Sequence, residues 1–106
     1  QIFHIVEEQP EFPGGQVELM KWLSSNTKFP AIAKDAGISG VVYVQFVVRE
    51  DGKVDPDDIT ILRGVHPALD NEAKRVVKNM PDWKPGRQRG KPVAVYYKLP
   101  FRFNLK

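Results

Sequence analysis

Cysteine is absent from the 106 residues, which excludes disulfide scaffolds, thiolate metal sites and cysteine nucleophiles together. It fixes no compartment, because cysteine-free chains persist in oxidising and reducing spaces alike. Histidine is scarce: His4 lies in an alternating, strand-like piece, and His66 precedes Pro67 at a helix start. Both positions have ordinary structural uses, and at the second the ring can cap backbone N–H groups. No HExxH, Walker loop, GxSxG or EF-hand loop occurs. Gly14-Gly15 lacks the preceding strand and the lysine of a phosphate loop. Asp55, Asp57 and Asp58 lack the glycine and distal glutamate of a calcium loop, and they read as a solvated turn. No apolar run approaches the roughly 20 residues that span a bilayer, and no signal peptide is present. The expectation is a protein without catalytic residues, metal or cofactor. Its first residue is Gln1 rather than methionine, so an excised or processed piece is expected, with any anchor or targeting segment upstream.

What is present is ordinary in amount and uneven in placement. A 42% hydrophobic content over this length supports a single domain with a modest core. The formal charge is only +3, yet Lys84, Arg87, Arg89, Lys91, Lys98 and Arg102 gather in the last quarter and Asp51, Asp55, Asp57 and Asp58 mid-chain. Basic residues interleaved with Trp83, Tyr96 and Tyr97 are one way to hold single-stranded nucleic acid. No nucleic-acid motif accompanies them, so charged residues keeping a loop and an edge strand soluble are the expectation, with no nucleic-acid partner.

Ile2–Val6 reads as a short strand or extended arm, ended by Pro10, Pro13 and Gly14-Gly15. Gly15 suits an N-cap with Glu18 reaching back to it, opening a helix from Gln16 to Ser25. Val17, Met20 and Leu23 are its expected inward residues, with Leu19 and Trp22 widening the stripe. Pro30 and Gly37 bracket a short helical turn carrying Ala33 and Ala36. Val41–Arg49 is the clearest strand, with Val42, Val44, Phe46 and Val48 on one face. Asp51-Gly52 supplies a hairpin turn, and a return strand resumes at Ile59–Arg63 after a bulge or widened loop over residues 54–58. Pro67 opens another helix whose buried stripe is Leu69, Ala73, Val76, Val77 and Met80, closed by Pro81. Trp83 is expected to plug the end of the core. This order predicts an α+β fold: two helices packed on one face of a three-stranded, mainly antiparallel sheet, with an extra N-terminal arm or short strand.

The last run, Val93 to Phe103, carries the functional reading. Val93, Val95, Tyr97, Leu99, Phe101 and Phe103 share one face, and Pro100 interrupts the run. Proline cannot donate to a ladder, so the run is expected at a sheet edge. An open edge leaves N–H and C=O groups that an extended peptide can complete, and capture of a peptide is a better expectation than catalysis. A proline at Val95 or Tyr97 is expected to weaken that capture if its lost N–H faces the guest. The same openness leaves a monomer and an edge-paired dimer both available. If the arm at residues 2–6 pairs with this strand, the edge stays occupied until a partner displaces it.

The ordered blocks resemble a known family. Phe29-Pro30-Ala31-Ile32-Ala33 through Gly37-Ile38-Ser39-Gly40 resembles the Tyr-Pro…Ala…Gly-Ile-x-Gly opening of the TonB C-terminal domain. The likeness continues through Val41–Val48, Asp51-Gly52-Lys53-Val54, Ile59–Arg63, His66–Ala73, Trp83-Lys84-Pro85-Gly86 and Pro92-Val93 to Leu99-Pro100-Phe101. It covers about residues 29–104, while residues 1–28 resemble an extension common in Bacteroidetes-type members. A division into that extension with its first helix (1–28) and the TonB-like domain proper (29–106) is expected, within one compact unit.

The resemblance implies a periplasmic domain of an inner-membrane-anchored energy transducer. In that family a motor complex driven by the proton gradient acts on a membrane helix upstream. The domain grips the TonB box of outer-membrane TonB-dependent transporters by adding the box beside the last strand. The positions matching that strand are Val93, Ala94, Val95, Tyr96, Tyr97, Lys98 and Leu99. Better-known members carry Gln-Pro before the Tyr-Pro pair, and that region contacts the box. Here Asn26, Thr27 and Lys28 stand there, and Asn26 is the residue matching the amide. The alternative within the fold is the periplasmic C-terminal module of a membrane-bound metallopeptidase-type sensor.

Overall fold

The computed structural model describes residues 1–105. In chain order it contains β1 (Ile2–Phe3), α1 (Gln16–Asn26), α2 (Ala31–Asp35), β2 (Gly40–Val48), β3 (Val54–Arg63), α3 (Pro67–Lys78), β4 (Gly86–Gln88) and β5 (Lys91–Phe103). The strand order is β1-β5-β2-β3, with β4 paired to β5 beside this path. Both expected helices, the short helical turn and the three long strands are present. The expected N-terminal arm or short strand appears as β1, and the sheet also gains β4, three residues that are too short to register as a periodic run in sequence.

Alternation on β2 does what its residues dictate. Val42, Val44, Phe46 and Val48 are completely buried on one face, against Leu69, Ala73, Val76 and Val77 of α3 in a common core. His66 caps α3, its Nδ1 accepting the Ala68 N–H at 3.0 Å. The β2–β3 turn needs Gly52 twice over: its φ is +86°, and a Cβ there would run into the Trp83 carbonyl. The bulge expected over 54–58 is in place, since Val48 pairs with Val54 while Phe46, two residues back, pairs with Ile59. Trp83 is buried, packing on Tyr97, Phe12 and Phe46 with ring centroids 4.8, 5.5 and 5.7 Å away.

The helix α1 departs from expectation. Leu19 is its fully buried residue, whereas Val17 and Met20 are 66% and 45% exposed. Apolar residues lie nearly all round this helix, so spacing alone selects no face. Packing selects it: Phe12 lies against Trp22 at 5.9 Å and turns the Leu19 side inward. Gly15 is the N-cap as expected, but Glu18 does not reach back to it. Gly15 gives its N–H to the Phe12 carbonyl at 2.7 Å, and Glu18 pairs with Lys21 at 3.4 Å.

The first fifteen residues are fastened to the far end of the sheet. Ile2 and Phe3 run parallel to Ala94 and Val95. Glu8 and Glu11 exchange main-chain hydrogen bonds with Arg87 and Lys84, and Val6, Pro10 and Phe12 are buried.

A candidate peptide-binding edge

Thirteen residues make β5 the longest strand, and its register explains how Pro100 fits. Arg49 donates its N–H to the Lys53 carbonyl and accepts from the Gly52 N–H, both at 2.8 Å, so its main chain faces β3. Main-chain groups alternate sides along a strand. The β2–β5 register runs unbroken from Gly40↔Phe103 to Val48↔Val95. Even-numbered residues of β2 therefore face β5, and odd-numbered residues of β5 face β2. Ala94, Tyr96, Lys98, Pro100 and Arg102 turn their N and O atoms outward. Pro100 thus breaks no bond to β2, and the missing donor falls on the outer edge.

That edge is partly occupied. Ala94 and Val95 lie beside β1, whereas odd-numbered Val93 pairs with Gly86 of β4 on the same side of the strand as β2. From Tyr96 to Phe103, β2 is the only strand partner among the described residues. Of the seven positions singled out in sequence, Tyr96, Tyr97, Lys98 and Leu99 thus lie on the stretch with an open outer edge. The N–H groups of Val95 and Tyr97 point inward, so proline at either would damage the β2 ladder rather than a guest's bonds.

The open stretch borders a cleft of about 630 Å³, lined by Gln16, Met20, Leu23, Ser24, Thr27 and Phe29 on one wall and residues 97–104 on the other. The exposed Met20 has a place here, on the side of α1 that faces β5. A smaller hollow of about 290 Å³, bounded by residues 9–12, meets the cleft at Gln16 and Tyr97. Burial pushes the Tyr97 phenol above its ordinary range, so it stays neutral. Leu99, Phe101 and Phe103 are buried along the floor, and Phe29 meets Phe103 edge-on at 5.8 Å.

Asn26 is committed elsewhere. Its Nδ2 donates to the Trp22 carbonyl at 2.8 Å, and its own carbonyl accepts from Arg75 Nη2 at 3.0 Å. Neighbouring Lys28 gives its N–H to Glu72 at 2.7 Å, and Glu72 also takes Arg75. This latch fixes the α1–α2 connection and hence the wall of the cleft. Sequence reasoning missed Met20, Leu23, Phe29, Phe101 and Arg102 as cleft residues. For Met20 and Leu23 the one signal was apolar character on α1 beyond what a single buried stripe requires.

The basic residues of the last quarter are dispersed. Lys84 and Arg87 sit beside Glu11 and Glu8, Arg89 occupies the β4–β5 turn, and Lys98 and Arg102 lie on β5. His4 stacks on Tyr96 at 4.4 Å and His66 caps α3, so the two histidines serve different elements. Among the described residues, no three His, Asp or Glu side chains gather as a metal-binding group, and no helix is long and apolar enough to cross a membrane.

The class is that of a small α+β domain whose last long strand lies open beside a helix-walled cleft. Residues 25–105 match the model of the Gram-negative bacterial TonB protein C-terminal family, and the chain belongs to that family. A solution structure of the Helicobacter pylori TonB C-terminal domain is 25% identical, with a TM-score of 0.61 over 85% of this chain and 92% of that one. A longer form of the same domain is 20% identical, with a TM-score of 0.55 over 85% and 81% of the two chains, and shares the fold. No curated protein matches the chain.

Proposed function

We propose that this chain is the periplasmic C-terminal domain of a TonB-like energy transducer, gripping the TonB box of an outer-membrane transporter by β-strand addition. Its inner-membrane motor would act through an anchor upstream. The observation that carries this reading is the unpaired outer edge of β5 from Tyr96 to Phe103, bordering an apolar cleft. A guest strand there meets the outward N–H groups of Tyr96, Lys98 and Arg102 and the carbonyls of the same residues and Pro100. Each net hydrogen bond contributes about 0.5–1.5 kcal/mol, and ordering the peptide offsets much of the sum. Affinity is therefore modest, which suits a coupling that releases after each cycle. A guest pulled along its own axis loads those bonds together, so the grip outlasts what equilibrium affinity implies.

Lys98→Pro tests this. It deletes an outward N–H and leaves the β2 ladder whole, and Lys98→Ala controls for the lost charge. Titration with a TonB-box peptide, followed by amide chemical shifts, is expected to show binding about tenfold weaker for Lys98→Pro than for Lys98→Ala, or one lost hydrogen bond. Equal affinities of the two variants would defeat the reading.

A further inference from the structure

The cleft beside β5 is electrostatically one-sided. Of the residues lining it, Lys98 and Arg102 are the charged ones, and no carboxylate is among them. Among the described residues neither forms an ion pair, although Arg49, Lys53 and Arg75 do. Both lie on the face of β5 opposite Leu99 and Phe101, four residues apart with Pro100 between them, a spacing of about 13 Å along a strand. Directly opposed residues of neighbouring strands point to the same face. A guest residue facing Lys98 or Arg102 thus points its side chain toward that cation, whereas one facing Leu99 or Phe101 points toward α1, where Met20, Leu23 and Phe29 wait.

Resting on the strand-addition reading, we propose that the edge selects an acidic–apolar alternating segment. Carboxylates four residues apart face Lys98 and Arg102, apolar side chains between them enter the cleft, and a small polar residue lies opposite Pro100. Lys98 and Arg102 are the specificity-determining residues. Because the carboxylate spacing is symmetric, the preference holds for either strand direction. Charge on an edge strand also serves to prevent aggregation, and a purely protective role would give no preference between guests.

Three end-capped heptapeptides separate these roles. One is Ile-Glu-Val-Thr-Val-Glu-Ile, the second carries lysine at both glutamate positions, and the third, Ile-Val-Val-Ile-Thr-Glu-Glu, keeps the charge but breaks the alternation. Amide chemical shifts of Tyr96, Lys98 and Arg102 follow binding to the intact chain. The alternating acidic peptide is expected to bind about tenfold more tightly than either control at low salt, with its margin over the lysine twin shrinking as salt is added. Lys98→Glu/Arg102→Glu is expected to invert the order of the first two. Equal binding of the acidic and basic twins, or of the alternating and blocked peptides, overturns the proposal while strand addition stands. If no peptide moves those amides, both readings fall together.

Discussion

Trp83 shows how one residue ties the turn, the N-terminal arm and the cleft together. Its ring packs on Phe12, Phe46 and Tyr97, and its main-chain N–H donates to the Gly52 carbonyl at 2.7 Å. Its indole Nε1, though buried, has no hydrogen-bond partner among the described residues. The side chain therefore stabilises by burial and shape, and its polar atom contributes nothing favourable. Trp83→Ala is expected to cost about 3–5 kcal/mol, as for large aromatic truncations in cores. Trp83→Phe gives up ring volume but also removes the unpartnered donor, and it is expected to cost less than half as much. Urea denaturation of the two variants checks this, and equal losses would show that the indole N–H matters. A plugging role for Trp83 was legible from its place after Pro81. Its contact with Tyr97, which links plug and cleft, depends on β5 register and left no mark in local sequence.

At the scale of elements, the wall of the cleft stays in place through the connection from α1 to α2. Burial pushes the Glu72 carboxyl up, but the Arg75 guanidinium and the Lys28 N–H outweigh it and hold the group below its ordinary range. A carboxylate lowered on folding adds stability above its unfolded pKa and loses it as pH falls through the folded one. Glu72→Gln is accordingly expected to be about 1 kcal/mol less stable than the parent at neutral pH. The difference closes as pH drops from roughly 5 downward, below the usual carboxylate value. Chemical denaturation across that range reads the gap, and one independent of pH would remove the charge from the explanation. The stripe of α3 was fully readable because its apolar residues keep to one side and its polar residues to the other. That of α1 was not, because Val17, Leu19, Met20, Trp22 and Leu23 surround the helix. The residues that misled the assignment of its buried face include the one that faces the cleft.

The whole molecule has two sheet edges, and they are treated differently. The edge at β3 carries Pro56, Asp55, Asp57, Asp58 and a wide bulge, devices that discourage any added strand. The edge at β5 carries a proline as well, but it runs straight beside an apolar cleft. Proline in an apolar alternating run made the open edge legible. How much of it is open depends on β1, two residues whose pairing no short-range pattern encodes. Ala94 faces outward into β1, and His4 stacks on Tyr96 where the open stretch begins. The arm thus occupies the next rung that a guest would use. Removing residues 1–5 leaves Val6 and the bonds of Glu8 and Glu11 untouched and frees the Ala94 N–H and C=O. A TonB-box peptide long enough to reach Ala94 is expected to bind the shortened chain about threefold to tenfold more tightly, the gain of one or two hydrogen bonds less added ordering. Calorimetric titration of both forms measures this. If affinity stays the same while melting temperature drops, β1 is a structural brace, and the guest never competes for its place.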